Sequence, residues 1–214
     1  MPPVTVHIAL GGLIGAVLLA NHFDIRSILL VMGAAGVPDL DVFVGFVIPG
    51  AHRAALHTLL FPVLLTALLV WDVYLRETSY VRDRWDDYGV HVAWVAIVSM
   101  TLAHLLLDAF GSGINALWPL YDRFYMLTGD LVLWHDNGFS VEFVEVIELG
   151  TTADTHYGTG FDTVRADGRR RFPVALTGEQ FVLLVASGMV VFRRIVDEQR
   201  APTTSGTAEY LSED

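Results

Sequence analysis

Long apolar stretches separated by short polar ones dominate the hydrophobic pattern of this chain. Four of them approach the roughly 20 residues that a helix needs to cross a ~30 Å hydrocarbon layer. They cover about residues 4–20, 54–71, 90–107 and 174–192. A weaker stretch, residues 28–37, is short and glycine-rich, and it either enters the membrane partway or crosses it with help from residues 42–48. The pattern predicts an all-α integral membrane bundle of about 4–5 helical spans.

A polar and mixed region precedes the last apolar stretch. Within it, residues 140–149 (SVEFVEVIEL) alternate between polar and apolar side chains, which is typical of a strand pair or an interfacial helix. Residues 151–171 are rich in Gly, Thr and Asp and indicate a loop. The expected division is a membrane-embedded helical metal-site domain at residues 1–125, a polar extramembrane segment at 126–173, a final span at 174–195 and a disordered acidic tail at 196–214.

Composition supports a chain that is partly solvated by lipid. Hydrophobic residues make up 53% and charged residues 17% of the chain, whereas soluble domains carry about 25% charged residues. The mean hydropathy is +0.50. The absence of cysteine excludes disulfides, thiolate catalysis and Cys-ligated zinc. Any metal ion must therefore be held by imidazole, carboxylate or water.

The charge balance is acidic, with a formal net charge of −11. All 13 basic residues are arginine. Such a chain lacks the basic surface that neutralises phosphates, so no nucleic-acid partner is expected. Excess acidic charge on solvated surfaces is also a device of salt-adapted proteins. We therefore expect a halophilic protein that loses its fold reversibly at low salt.

Most ionisable residues near the spans gather at one side of the membrane when the chain is traced back and forth across it. They come from four stretches and are His7, Asp39, Asp41, His52, His57, His104 and Asp108. Ionisable groups inside a membrane are costly and usually mark a functional site. We interpret His135, Asp136 and His156 as exposed loop residues outside this set.

The spacing of these residues suits a metal ion. His104 and Asp108 are four residues apart and share one helix face. Asp39 and Asp41 follow Pro38, and in extended backbone they point the same way. A His/Asp site without sulfur suits zinc first, with manganese or iron as alternatives, as a single ion or a bridged pair. The predicted metal ligands are His7, Asp39, Asp41, His57, His104 and Asp108.

Two further residues are predicted to act in catalysis. His52 lies at the entry to the third stretch and is suited to moving protons. Arg53 follows it, and its planar guanidinium matches an anionic group such as a phosphate.

The order of these residues resembles the YdjM-type membrane-bound, predicted metal-dependent hydrolases. The matching segments cover roughly residues 1–125 and are His7, Pro38-Asp39-Leu40-Asp41, His52-Arg53-x-x-x-His57-Thr58, Ala103-His104-x-x-x-Asp108 and Trp118-Pro119. Three positions depart from the family pattern, which has Gly, Thr and Ser where this chain has Ala54, Leu56 and Thr58. The resemblance implies a multi-span helical fold and a hydrolase role.

The first hypothesis is a metal-dependent hydrolase in the cell membrane, multi-pass, acting on a lipid-like or phosphoester substrate, with membrane lipid as its partner. One alternative is an ion or proton transporter or channel that uses the same residues. A path, however, needs polar residues through the full thickness, and three spans are nearly all apolar toward the far face. A second alternative is a metal-free membrane scaffold whose polar cluster only ties helices together.

Overall fold

The computed structural model describes residues 2–134, 138–155, 168–169 and 172–200. Within these ranges the protein is mostly helical. In chain order the helices are α1 (Val4–Leu18), α2 (Ile25–Gly36), α3 (Val42–Gly45), α4 (Leu60–Val70), α5 (Tyr80–Met100), α6 (Leu107–Gly111) and α7 (Gly178–Arg200). Two strands, β1 (Phe124–Trp134) and β2 (Gly138–Gly150), lie between α6 and α7. Residues His135, Asp136 and His156 and the tail from residue 201 onward lie outside the described ranges.

Two helical stretches are long and apolar enough to cross a membrane. The first is Ile25–Gly45, in which α2 continues through a 3₁₀ turn (Val37–Asp41) into α3. The second is Tyr80–Gly111, in which a π-helical segment (Thr101–Leu106) joins α5 to α6. The weak second stretch of the sequence is therefore part of a 21-residue helix. Pro38 does not end this helix. It lies in the first turn of the 3₁₀ segment, a position where proline is tolerated because the first amides of a helix have no partner within it.

The other apolar helices of the described chain are shorter or more charged. Helix α1 and the stretch Leu60–Leu75 are apolar but have fewer than 18 residues. The third span was expected from residue 54, but α4 begins at Leu60 because residues 54–59 form turns. There the Thr58 hydroxyl accepts a hydrogen bond from the Leu60 amide and donates one to the Ala116 carbonyl. The described residues thus contain two candidate spans, and the expected number of four or five is not confirmed.

Close packing of α1 against α2 positions the polar residues. A Cβ atom at Gly11 would lie 2.5 Å from the Cβ of Ala35, and one at Gly15 would lie 2.7 Å from Ile28 Cδ1. Only glycine lets the two helices approach so closely. Away from the polar cluster, helices α1, α2, α5 and α7 bury one apolar cluster, which includes Leu19, Phe23, Ile28, Val31, Val95 and Val191.

The polar segment contains a β-hairpin, so the all-α expectation is corrected. Residues 140–149, left open as a strand pair or a helix, lie in strand β2, which pairs with β1 in antiparallel register. The partner strand was not foreseen, because β1 lacks a strict polar and apolar alternation. An isolated bridge between Ile114 and Tyr125 joins the base of the hairpin to the chain after α6. The last helix, α7, continues to Arg200, five residues past residue 195, where the final span was expected to end.

Candidate metal centre

Five buried or half-buried side chains from four segments converge on one point. They are His7 on α1, Asp39 in the 3₁₀ turn, His57 in the loop before α4, and His104 and Asp108 on the second long helix. The Nε2 atoms of His57 and His104 are 2.9 Å apart. Asp108 Oδ2 lies 3.3 Å from His57 Nε2 and 3.8 Å from His104 Nε2. Asp39 Oδ1 lies 3.8 Å and 3.6 Å from the same two nitrogen atoms.

These separations match those of ligands around a single ion. Ligand atoms bound to tetrahedral zinc at about 2.0–2.1 Å lie about 3.3 Å from each other. Two trios have suitably placed ligand atoms, one of His7, Asp39 and His104 and the other of His57, His104 and Asp108. His104 Nδ1 lies 2.7 Å from the Ala35 carbonyl, so only Nε2 of that ring faces the centre. Both trios share this atom and therefore describe one centre.

The imidazoles are oriented so that their Nε2 atoms face inward. His7 Nδ1 donates to the Ala103 carbonyl at 2.8 Å, and His104 Nδ1 donates to the Ala35 carbonyl. His57 Nδ1 donates to Asp41 Oδ2 at 2.8 Å. A carbonyl or carboxylate oxygen only accepts, so each Nδ1 carries its proton and, in the neutral ring, each Nε2 holds a lone pair. Two lone pairs facing each other at 2.9 Å repel unless a cation or a proton lies between them.

Three buried atoms at the centre have no hydrogen-bond partner among the described residues: His7 Nε2, Asp39 Oδ1 and Asp108 Oδ1. Leaving one buried polar atom unsatisfied costs about 1–3 kcal/mol. The rings of His7 and His104 are stacked with centroids 3.8 Å apart, and His7 Nε2 lies 3.5 Å from Asp108 Oδ1. A divalent cation would satisfy atoms of this kind, and the residues present therefore fit a metal ion.

Asp41 lies behind this centre and belongs to neither trio. Its Oδ1 accepts from His52 Nδ1 at 2.7 Å, and its Oδ2 accepts from His57 Nδ1 and from the Arg53 amide. The expectation that Asp39 and Asp41 point the same way is wrong, because Val37–Asp41 is a 3₁₀ helix. With about 3 residues per turn, side chains two positions apart point in different directions. Asp39 therefore faces the centre, and Asp41 faces the loop of His52 and His57.

Arg53 is fully buried and holds Asp108 from the outside. Its Nη2 donates to Asp108 Oδ2 at 2.5 Å, and its Nη1 donates to the Ser112 hydroxyl and the Gly113 carbonyl. Its backbone has φ +68°, a left-handed conformation that is uncommon for a non-glycine residue. The predicted contact of Arg53 with a substrate anion stays a prediction. In the structure its guanidinium binds the protein itself.

Comparison with known proteins identifies the family of the chain. A family model described as YdjM inner membrane protein matches residues 1–193. The chain belongs to the YdjM inner membrane protein family. No curated protein and no solved structure matches it. The family match confirms the resemblance based on residues 1–125 and extends it through the hairpin into α7. Together with the apolar helices, membership in the YdjM family identifies the chain as a membrane protein.

The residues that brace the loop of His52 and His57 were not predicted from the sequence. Asn115 is fully buried, and its amide donates to the Arg53 carbonyl at 3.2 Å. The Asn115 side chain donates to Asp122, which also accepts from the Thr152 amide and hydroxyl. The loop is thus tied to the chain on both sides of the hairpin. One signal was present, because Asn115 is an isolated amide in an otherwise apolar stretch, residues 114–118.

Proposed function

We propose that this protein is a membrane-bound hydrolase that depends on one divalent metal ion. His57, His104 and Asp108 would hold the ion, with Asp39 and His7 completing the site. The observation that carries the proposal is the pair of inward-facing Nε2 atoms 2.9 Å apart, each with its Nδ1 bonded outward. A metal-bound histidine usually donates the N–H of its other ring nitrogen to a carbonyl or carboxylate oxygen in this way.

Zinc fits the donor set best. Catalytic zinc sites combine two or three histidines with a carboxylate and leave one position open. Manganese and iron are the alternatives, because both also accept imidazole and carboxylate. The ion would supply Lewis acidity, lowering the pKa of water and polarising the oxygen of a phosphoester or carboxylic ester.

The residues around the ion have separate tasks in this proposal. Hydrolysis of a phosphoester joins the oxygen of water to phosphorus and delivers a proton to the leaving alkoxide. His52 is suited to moving that proton, because Asp41 holds its Nδ1 at 2.7 Å and the neutral ring has its acceptor on Nε2. Asp41 also orients His57, and Arg53 orients Asp108. We assign Asp41 and Arg53 positioning roles.

The apolar packing at the end of the helix bundle away from the metal centre favours a hydrolase over the transporter alternative. A conducting path needs polar groups across the whole membrane. In the described chain, side chains such as Leu19, Phe23, Ile28 and Val31 fill the interior between the helices away from the centre. Proton or metal-ion flux into proteoliposomes that vanishes in His57→Ala would support transport instead.

Metal analysis of the detergent-purified protein tests the proposal and separates it from the scaffold alternative. We expect about one zinc ion per chain, and loss of that ion in His104→Gln and Asp108→Asn. His91→Gln is a matched control, because His91 lies on the same long helix and bonds to the Leu18 carbonyl away from the centre. Phosphoester and ester probes should be hydrolysed by wild type and by His91→Gln, but not by the two ligand variants. Stoichiometric metal in both ligand variants would contradict the assignment.

We further propose that the chain crosses the cell membrane several times, with α1, α4 and α7 adding to the two candidate spans. The chain has no cysteine, so a single introduced cysteine can be labelled without background. Cysteines at residues 77 and 120, which are both exposed, should react from opposite sides of sealed membrane vesicles if the long helix Tyr80–Gly111 spans.

A halophilic character is proposed from the net charge of −11 alone. Repulsion among uncompensated acidic groups is screened by salt. Thermal unfolding in detergent should therefore shift upward by several degrees between 0.1 M and 2 M KCl, and an unchanged midpoint would contradict the proposal.

A further inference from the structure

The metal centre is closed on nearly every side. His7, His57, His104 and Asp108 have no exposed surface, whereas the side chain of Asp39 is 16% exposed and that of His52 is 9% exposed. A substrate bond must come within reach of the inward-facing Nε2 atoms to be cleaved. Among the described residues of the centre, access is therefore beside Asp39 and His52.

The surface next to this opening is apolar. Leu40 follows Asp39 directly, and the next turns of the chain expose further large apolar side chains. We call this surface the apolar rim; its five residues are 45–81% exposed and are Leu40, Phe43, Phe46, Val47 and Ile48. Between residues 40 and 48 the one ionisable side chain is that of Asp41, which is fully buried.

The position of the apolar rim in the fold places it at the membrane. Leu40 and Phe43 belong to the helix Ile25–Gly45, one of the two candidate spans, and the other rim residues follow its end. An apolar surface of this size is unfavourable in water and is typical of a contact with lipid or with a partner. The apolar rim thus begins next to Asp39 and continues through the end of a candidate span.

We propose that the substrate is a membrane phospholipid whose head group enters beside Asp39 while an acyl chain lies along the apolar rim. This inference rests on the proposed function and narrows its substrate class. A water-soluble phosphoester would place the same bond at the centre and leave the rim unused. In the reaction, the oxygen of water joins the phosphorus of the head group, and the alcohol leaves with a proton.

Photocrosslinking tests the binding step without any need for activity. The purified protein in nanodiscs is exposed to a phosphatidylcholine analogue that carries a diazirine in its head group, and the labelled peptides are mapped. We expect labelling within residues 38–52, reduced at least fivefold in Phe43→Ser/Val47→Ser. Leu64→Ser is the matched control, because Leu64 is 55% exposed on α4 and lies outside the rim. Labelling spread equally over all apolar helices would overturn the inference.

Kinetics with two substrates that share one head group test the role of the acyl chain. Dibutanoyl phosphatidylcholine is soluble as a monomer, whereas dioleoyl phosphatidylcholine is presented in vesicles. The variant Phe43→Ser/Val47→Ser should raise KM for the long-chain lipid about tenfold, because the acyl chain no longer buries two apolar side chains when it binds. Its kcat/KM for the short-chain lipid should stay within twofold, and its metal content should equal that of wild type.

The outcomes separate this inference from the proposed function. Rim labelling without hydrolysis of either lipid would support lipid access and contradict the hydrolase. Hydrolysis of both lipids with equal kcat/KM, together with no labelling at residues 38–52, would overturn the lipid inference and leave the hydrolase standing. If the double variant does not fold, the wild-type labelling map and the wild-type ratio of the two kcat/KM values still decide.

Discussion

The Nη2 atom of Arg53 lies 2.5 Å from Oδ2 of Asp108, which is 55 residues further along the chain, and both side chains are fully buried. This pair joins the loop that carries His52 and His57 to the helix that carries His104. It also neutralises a carboxylate at the centre of the bundle. The placement of the candidate metal ligands therefore depends on a contact between two distant parts of the chain.

Replacing Arg53 tests its positioning role. In Arg53→Lys the charge stays, but the fork that reaches Asp108, Ser112 and Gly113 together is lost. We expect about 10–100-fold weaker zinc affinity, the usual cost of changing a residue that orients a ligand. Competition with a chromogenic chelator measures this change.

Arg53→Ala removes the positive charge as well as the guanidinium fork, whereas Arg53→Lys removes only the fork. Arg53→Ala leaves Asp108 buried without its cation, at a cost of about 3–5 kcal/mol, so the protein is expected to unfold. Arg26→Lys is the control, because Arg26 is exposed at the start of α2. Wild-type zinc affinity in Arg53→Lys would contradict the role assigned to this residue.

Asp41→Asn tests the carboxylate that holds two imidazoles at once. An asparagine side chain offers one acceptor oxygen, so it cannot accept from both His52 Nδ1 and His57 Nδ1 as Asp41 does. We expect zinc affinity to fall about 10–100-fold and kcat to fall with it. Asp24→Asn is the control, since Asp24 caps α2 away from the centre. If Asp41→Asn and wild type had equal zinc affinity and equal kcat, the hydrogen bonds from His52 and His57 to Asp41 would not be needed to position the two rings.

A pair of identical substitutions tests the close approach of α1 and α2. Gly11→Ala places a methyl group 2.5 Å from Ala35 Cβ and 3.0 Å from Ser99 Oγ, whereas Gly33→Ala meets nothing within 4 Å. Overpacking should destabilise Gly11→Ala by about 1–3 kcal/mol. Gly33→Ala should be neutral or more stable by up to about 1 kcal/mol. Unfolding in detergent measures both values.

The Gly11 variant should also affect the metal. The Ala35 carbonyl holds His104 Nδ1, so pushing α2 away moves a ligand. Weaker zinc retention in Gly11→Ala than in Gly33→Ala is expected. Equal stability and equal metal content of the two variants would mean that the helices separate without cost.

The pH dependence of stability should include a contribution from Asp72. Hydrogen bonds from the Val81 amide and the Ser79 hydroxyl lower the pKa of Asp72 from 3.8 to about 2. A carboxyl group with a depressed pKa stabilises the fold above its unfolded pKa of about 4, and this contribution is lost as the pH falls toward 2. The difference in melting temperature between wild type and Asp72→Asn should therefore shrink from pH 5 to pH 2.

Asp83→Asn, which removes an exposed carboxylate from the first turn of α5, serves as the control for Asp72. The difference in melting temperature between wild type and Asp83→Asn should change less between pH 5 and pH 2 than the difference for Asp72→Asn. A difference for Asp72→Asn that stays constant from pH 5 to pH 2 would contradict the pKa assignment.

The convergence of the candidate ligands was largely predictable, because local spacing and chain direction determine where these residues lie. His104 and Asp108 are four residues apart, and on the helix their Nε2 and Oδ2 atoms lie 3.8 Å apart. His7, Asp39 and His57 reach the same pocket from separate segments, as the back-and-forth tracing of apolar stretches predicted. The family resemblance, inferred from the same residues, is confirmed by the match to residues 1–193.

The sequence by itself determined which residues gather and at which end of the helices they lie, because apolar length and helical period are local properties of the chain. Only the tertiary structure decided the direction of each side chain. The 3₁₀ turn separated Asp39 from Asp41, and Asp108 holds the guanidinium of Arg53 inside the protein. Those directions depend on backbone torsions and on partners about 50 residues away, which no local pattern contains.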